Sequence, residues 1–277
     1  MEPAPNTPPP GDTILPPVVL QDSLTEDNML MGNPSSAVTD ILIPDNYLMV
    51  KDQFTLSYNN SKGTPNWVSW HLSTAWKGSE PRCDCFTADN SLPASFYHTY
   101  TSNYTNTGFD RGHQCPSNDR DKTAADNAAT FLMTNVIPQA PHLNQITWNA
   151  LEDYCQTLMY QGNELYIISG GHGSGGSGSL GGITTTISNG HVTVPSDCWK
   201  VIIVLPVGSN DVSRVSSSTR VIAVDMPNTQ TVNSQQWGYY RISVDSLESL
   251  TGYNFISAVP DSIQLLIEAT ADTGPTQ

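Results

Sequence analysis

Apolar and polar residues alternate along Phe54–Tyr58 (FTLSY) and Trp67–Leu72 (WVSWHL), the pattern of strands with one buried face. Glu164–Ser169 (ELYIIS) and Trp199–Pro206 (WKVIIVLP) are denser in branched residues and predict central strands, with Arg220–Asp225 (RVIAVD) as another and Thr130–Asn135 as a short apolar run. In Thr147–Tyr160 the apolar positions Trp148, Leu151, Tyr154, Cys155, Leu158 and Met159 recur at helical spacing. Ser246–Leu250 and Asp261–Ala269 predict two further helices. Strands and helices mixed without strict βαβ order predict an α+β fold.

Residues 1–30 hold seven prolines in their first 17 positions and no Lys or Arg, so they cannot bury enough apolar surface to offset their ordering entropy and are expected to form a flexible tail. Residues 271–277 read the same way. Between them, residues 31–270 form one domain without linker or repeat. Gly170–Gly182 (GGHGSGGSGSLGG) has neither the lysine nor the following helix of a phosphate cradle, and is expected to be a flexible surface loop with His172 solvent-exposed.

The 277 residues carry 11 Lys and Arg against 26 Asp and Glu, a formal charge of −15, with only 13% of residues charged. No apolar run approaches the ~20 residues of a membrane helix, so no membrane partner is expected. The negative sum speaks against nucleic-acid binding through a basic patch, yet a bound divalent cation supplies positive charge where a phosphate sits. The five cysteines (Cys83, Cys85, Cys115, Cys155, Cys198) have no zinc-finger spacing, and Cys83 and Cys85 are too close in sequence to be expected to join each other. The opening MEPAPNTPPPGDT shows no signal peptide and reads as a mature form.

Chemistry concentrates in Asp110–Arg111–Gly112–His113, followed by Asn144 and Glu152. A histidine beside an arginine, with an amide and a carboxylate on a nearby helix, offers a base, a phosphate contact and oxygen ligands for a hard cation. Asn144 and Glu152 lie eight residues apart, slightly over two helical turns. Taken alone, the same residues also describe a capped helix with solvated polar groups.

Phe109–His113 (FDRGH) resembles the DRGH signature of the DNA/RNA non-specific endonucleases, the ββα-metal family, closest to its cyanobacterial and Serratia-type branches. The resemblance extends to Ala125–Asn135 (ADNAATFLMTN), Val136–Ala140 (VIPQA), Leu143–Tyr154 (LNQITWNALEDY), Val192–Val204 (VTVPSDCWKVIIV) and Ser249–Tyr253 (SLTGY). It implies a ββα-metal core with a central, mainly antiparallel sheet flanked by helices. It further implies a Mg²⁺-dependent, sugar-non-specific endonuclease, with Mn²⁺ as an alternative ion, that acts on DNA and RNA and leaves 5′-phosphate ends. His113 would be the general base. Asn144 would ligate the metal directly, and Glu152 would hold it through water. Arg82, in Arg82–Cys83–Asp84–Cys85–Phe86, would stabilise the pentacovalent phosphate. Arg111 would lie at the same site or pair with Asp110 or another carboxylate. Secretion or a periplasmic location is expected, and a protein inhibitor is a possible partner by analogy with relatives.

Two departures qualify the resemblance. Gln156 stands where relatives carry an arginine one turn beyond the glutamate, which would weaken the grip on phosphate. A disulfide from Cys83 or Cys85 to Cys115 would fix the arginine loop against the histidine hairpin, unless these are unrelated buried thiols. Gln156 and the acidic surface favour the alternative function, a catalytically weak nucleic-acid-binding or toxin-like module retaining the fold.

Overall fold

The computed structural model describes residues 28–277. Its strands are β1 (Tyr47–Val50), β2 (Thr55–Asn59), β3 (Thr64–Leu72), β4 (Asp110–His113), β5 (Val136–Gln139), β6 (Asn163–His172), β7 (Thr186–Ile187), β8 (Val192–Thr193), β9 (Asp197–Pro206), β10 (Arg220–Pro227) and β11 (Arg241–Ile242). The α-helices are α1 (Ala124–Thr130), α2 (Asn149–Tyr160), α3 (Asp211–Arg214), α4 (Val244–Thr251) and α5 (Asp261–Ile267). Seven strands form one antiparallel sheet in the order β1-β2-β3-β6-β9-β10-β11, while β4 and β5 make a separate hairpin. The expected α+β architecture with a central antiparallel sheet is what forms.

Strand alternation divides the sheet's side chains between two cores. Leu56, Val68, Trp70, Leu165, Ile167, Ile202 and Ile222 pack with Trp148, Leu151 and Cys155, so α2 covers one face through the apolar stripe visible in the sequence. Trp67, Tyr166, Ile168, Trp199, Val201 and Ile203 pack with Leu247 of α4 and Ile267 of α5 on the other. With both faces covered, the middle strands are buried nearly throughout, which explains their dense apolar runs. Each fully buried large apolar side chain contributes roughly 1.5–3 kcal/mol.

Several expectations are corrected here. Residues 1–27 of the expected tail lie outside the described residues, but Asn28 is buried: its side chain donates to the Asp52 carbonyl and accepts from the His71 backbone N–H. At the other end, Asp272 accepts from Arg220 and Arg241, and the carbonyls of Gly274 and Pro275 accept from the same two arginines. Residues 271–277 are therefore held by charge, which an apolar count does not register. In the glycine-rich stretch, Gly170, Gly171 and His172 belong to β6. Beyond them, Gly175, Ser177 and Ser179 donate backbone N–H groups to Val194, Asn228 and Gly108. His172 is not free in solvent: its Nε2 lies 3.0 Å from Asp225 Oδ1. The short apolar run at Thr130–Asn135 ends α1 and turns through a short 3₁₀ segment at Met133–Asn135.

Candidate active site

The hairpin of β4 and β5, followed by the helix carrying Asn144 and Glu152, forms one wall of the site. Asp110 pairs with Gln139 and His113 with Val136. Gly112 is required because the Gln139 side chain lies where a Cβ would stand. Asn135 fixes the hairpin's exit, accepting from the Cys115 N–H at 3.0 Å and donating to the Cys115 carbonyl at 2.8 Å.

The predicted helix begins as a π-helical turn, Leu143–Trp148, and continues as α2. In an uninterrupted α-helix, residues eight apart are offset by about 80°. The wider π turn advances fewer degrees per residue and brings Asn144 and Glu152 closer to one line. Asn144 Nδ2 donates to Asp110 Oδ2 at 2.9 Å. A carboxylate only accepts, so the bond fixes which end of the amide faces Asp110 and leaves Oδ1 for the cleft.

A cleft of about 280 Å³ is lined by Arg82, Arg111, His113, Asn144 and Glu152. It is joined through Arg82, Arg111 and Asn144 to a groove of about 310 Å³ running past Asp84 and Phe86. All five residues singled out in the sequence thus meet in one place. His113 sits between Phe86 and Phe131, ring centroids at 5.0 and 4.7 Å, and its buried Nε2 has no hydrogen-bond partner among the described residues. Burial, and then the charge of Arg82, hold this imidazole far below its ordinary value, to about 3, with Asp84 opposing. It is therefore neutral at physiological pH.

Arg82 lies over Phe131, donates Nε to Asp84 at 2.7 Å, and reaches Ser117 Oγ at 3.1 Å. Arg111 stacks on Phe86 at 4.3 Å. It makes no ion pair among the described residues, so the salt bridge with Asp110 considered above does not form; Asn144 and Gln145 occupy that carboxylate. Of the other basic residues between 77 and 122, Arg120 is buried in a network with Gln53, Asp119 and His71, and Lys77 pairs with Asp121. Glu152 is partly buried; burial raises its carboxyl to about 7, against the pull of Lys200.

Two readings are overturned. Cys83 and Cys85 form a disulfide with each other, Cα–Cα 5.1 Å, while Cys115 is a buried free thiol, so no bridge ties the arginine loop to the hairpin. That separation is ordinary for a bridge, and Asp84 between them has a left-handed φ of 47° that turns the chain enough to allow it. Gln156 does not face the cleft: it is buried and donates to Asp119, which also accepts from Trp70 Nε1 at 2.7 Å.

The sequence reading missed Asp110 as the anchor of Asn144, the Phe86–Phe131 box around His113, and Lys200 beneath Glu152. A charge inside the apolar run WKVIIVLP was the one signal that could have exposed the last.

The model of the DNA/RNA non-specific endonuclease family matches residues 35–262. A Nostoc nuclease is 48% identical over 263 residues, 95% of this chain and 92% of its own. The mitochondrial nuclease EXOG of Xenopus laevis is 32% identical, with 72% of this chain matched to 55% of its own length. A crystal structure of the EndoG/EndoGI complex superposes with a TM-score of 0.69 at 21% identity, covering 85% of this chain and 92% of that one. The hairpin-and-helix site is carried on that shared α+β fold, and the chain belongs to the DNA/RNA non-specific endonuclease family.

Proposed function

We infer that this nuclease hydrolyses phosphodiester bonds of both DNA and RNA with a single Mg²⁺ ion, His113 as general base, and 5′-phosphate products. The observation carrying the reading is the buried, unpartnered Nε2 of a neutral His113 at a cleft that also gathers two guanidiniums, an amide oxygen and a carboxylate. His113 takes a proton from water, the resulting hydroxide attacks phosphorus, and the bond to O3′ breaks, leaving the phosphate on the 5′ side of the next nucleotide. Burial is the main cause of the low basicity of His113, and substrate offsets only the part that the guanidiniums add. A phosphodiester neutralises Arg82 and Arg111, whose charges otherwise oppose protonation of the imidazole. The same two guanidiniums stabilise the added charge of the pentacovalent phosphate.

The donor set fits Mg²⁺. Asn144 offers one neutral oxygen and Glu152 one carboxylate, a sparse oxygen shell of the kind suited to an ion that keeps most of its waters. When bound, the ion supplies charge neutralisation at the scissile phosphate and its leaving oxygen. Nothing in this set must touch a base edge or a 2′-hydroxyl, which supports action on both sugars.

Purified protein and His113→Ala, assayed on supercoiled plasmid and total RNA with Mg²⁺ and with EDTA, test this. Degradation of both substrates only with Mg²⁺, and a loss of at least ~10² in the variant, is expected. Intact substrates that are nonetheless bound would favour the catalytically weak binding module instead. The Cys83–Cys85 bridge suits an oxidising compartment, which supports a secreted or periplasmic location. An inhibitor protein is a further partner suggested by the EndoG/EndoGI complex.

A further inference from the structure

Lys200 occupies a place where the alternation of its strand calls for an apolar residue. Its neighbours in register on β9, Cys198 and Ile202, belong to the core beneath α2. The Lys200 side chain is 1% exposed. Its ammonium lies 4.3 Å from the Trp148 ring and 5.5 Å from the Trp70 ring. Its one carboxylate contact among the described residues is Glu152, Nζ to Oε1 at 3.4 Å. A buried charge pair is often no more stable than apolar residues of the same volume, so packing alone does not account for a lysine here. Nζ meets only one of the two carboxylate oxygens. The other has no protein partner among the described residues, and Glu152 forms part of the cleft wall with Asn144.

We propose that Lys200 is a positioning residue: held between two indoles, it fixes the Glu152 carboxylate from beneath so that the free oxygen is presented to the waters of the cation at Asn144. This rests on the metal-dependent reading above. The sheet thereby sets the orientation of a helix side chain that the hairpin does not reach. Outer partners of this kind are worth roughly 10–100-fold in metal affinity.

The test uses Mn²⁺ alone as probe, titrated into the full chain with free ion followed by electron paramagnetic resonance. The proteins compared are wild type, Lys200→Met, Glu152→Gln and the double variant. Lys200→Met and Glu152→Gln are each expected to weaken binding ~10–100-fold, with the double variant no weaker than Glu152→Gln because both changes remove one contact. KM for DNA is expected to stay near wild type, and kcat lost at limiting metal to return with excess ion. Unchanged Mn²⁺ affinity in Lys200→Met, or effects that add in full, would overturn the proposal. Wild type that binds no Mn²⁺ would instead overturn the metal reading itself. Should Lys200→Met not fold, wild type labelled with ¹⁵N-lysine decides: the Lys200 Nζ resonance must shift on adding Mg²⁺, and an unmoved signal refutes the coupling.

Discussion

Asn144 Nδ2 and Asp110 Oδ2 are joined at 2.9 Å, and Gln145 Nε2 reaches the same oxygen at 2.7 Å. The first residue of the strand that ends in His113 thus orients the amide on the following helix. The strand that bears the proposed base and the helix that bears the proposed metal ligand are tied together although 34 residues separate the bonded pair. Asp110→Asn can donate as well as accept, which frees the Asn144 amide to reverse. We expect a metal requirement raised about 10-fold with the melting temperature little changed, read from activity against Mg²⁺ concentration. An unchanged requirement would show that the amide holds its orientation without the carboxylate.

The pH dependence follows from two groups. His113, lowered to about 3 by burial and by Arg82, stays neutral across ordinary assay conditions. Glu152, raised to about 7, is charged only above that region, and its proposed role of holding metal waters requires the charged form. Activity at limiting Mg²⁺ therefore rises as pH passes through about 7. Saturating Mg²⁺ moves that limb to lower pH, because the ion competes with the proton. A limb that does not respond to Mg²⁺ would contradict the assignment.

Gln156 belongs to the core. Replacing it with Ala removes a donor from buried Asp119, leaving Trp70 and the neighbouring Arg120 charge to stabilise that carboxylate. A loss of roughly 1–3 kcal/mol in chemical denaturation is expected, with kcat changed less than by Arg82→Ala. A large fall in kcat at intact stability would return Gln156 to the phosphate site.

The Cys83–Cys85 bridge closes a very short loop beside Arg82, whose Nε is held by Asp84 inside that loop. Its contribution to global stability is expected to be small, about 1.5 kcal/mol in the chain-entropy account. Cys83→Ser with Cys85→Ser should lower kcat by several-fold while shifting the melting temperature only slightly. Full activity after reduction would mean that Arg82 is placed by Phe131 and Ser117 alone.

Asp272→Asn tests the C-terminal segment. Although burial pushes the other way, the hydrogen bonds from Arg220 and Arg241 hold this carboxyl below its ordinary value. Its stabilisation is thus fully present above the unfolded carboxylate range and is lost as pH falls through the depressed value. The variant is expected to lose roughly 1.5–3 kcal/mol at neutral pH, and the difference from wild type to shrink in acid. Equal stability at neutral pH would mean the segment contributes nothing.

By itself the sequence marked the long strands and the main helix and named the candidate site residues. Period-two alternation marked β2 and β3, dense apolar runs marked the central strands, the 3.6-period stripe from Trp148 to Met159 marked α2, and the resemblance around FDRGH named His113, Asn144, Glu152, Arg82 and Arg111, which meet in one cleft. These are local or motif-bound properties, carried by the spacing of residues along the chain. Only the tertiary structure decided which polar groups pair across distant segments: Asp110 with Asn144, Lys200 with Glu152, Gln156 with Asp119, Asp272 with two arginines. It also joined Cys83 to Cys85 through a left-handed Asp84. Hydrophobic periodicity is averaged over many residues and survives ignorance of the partner strand. A hydrogen bond or ion pair depends on a few ångströms between two side chains, which the folded chain alone supplies.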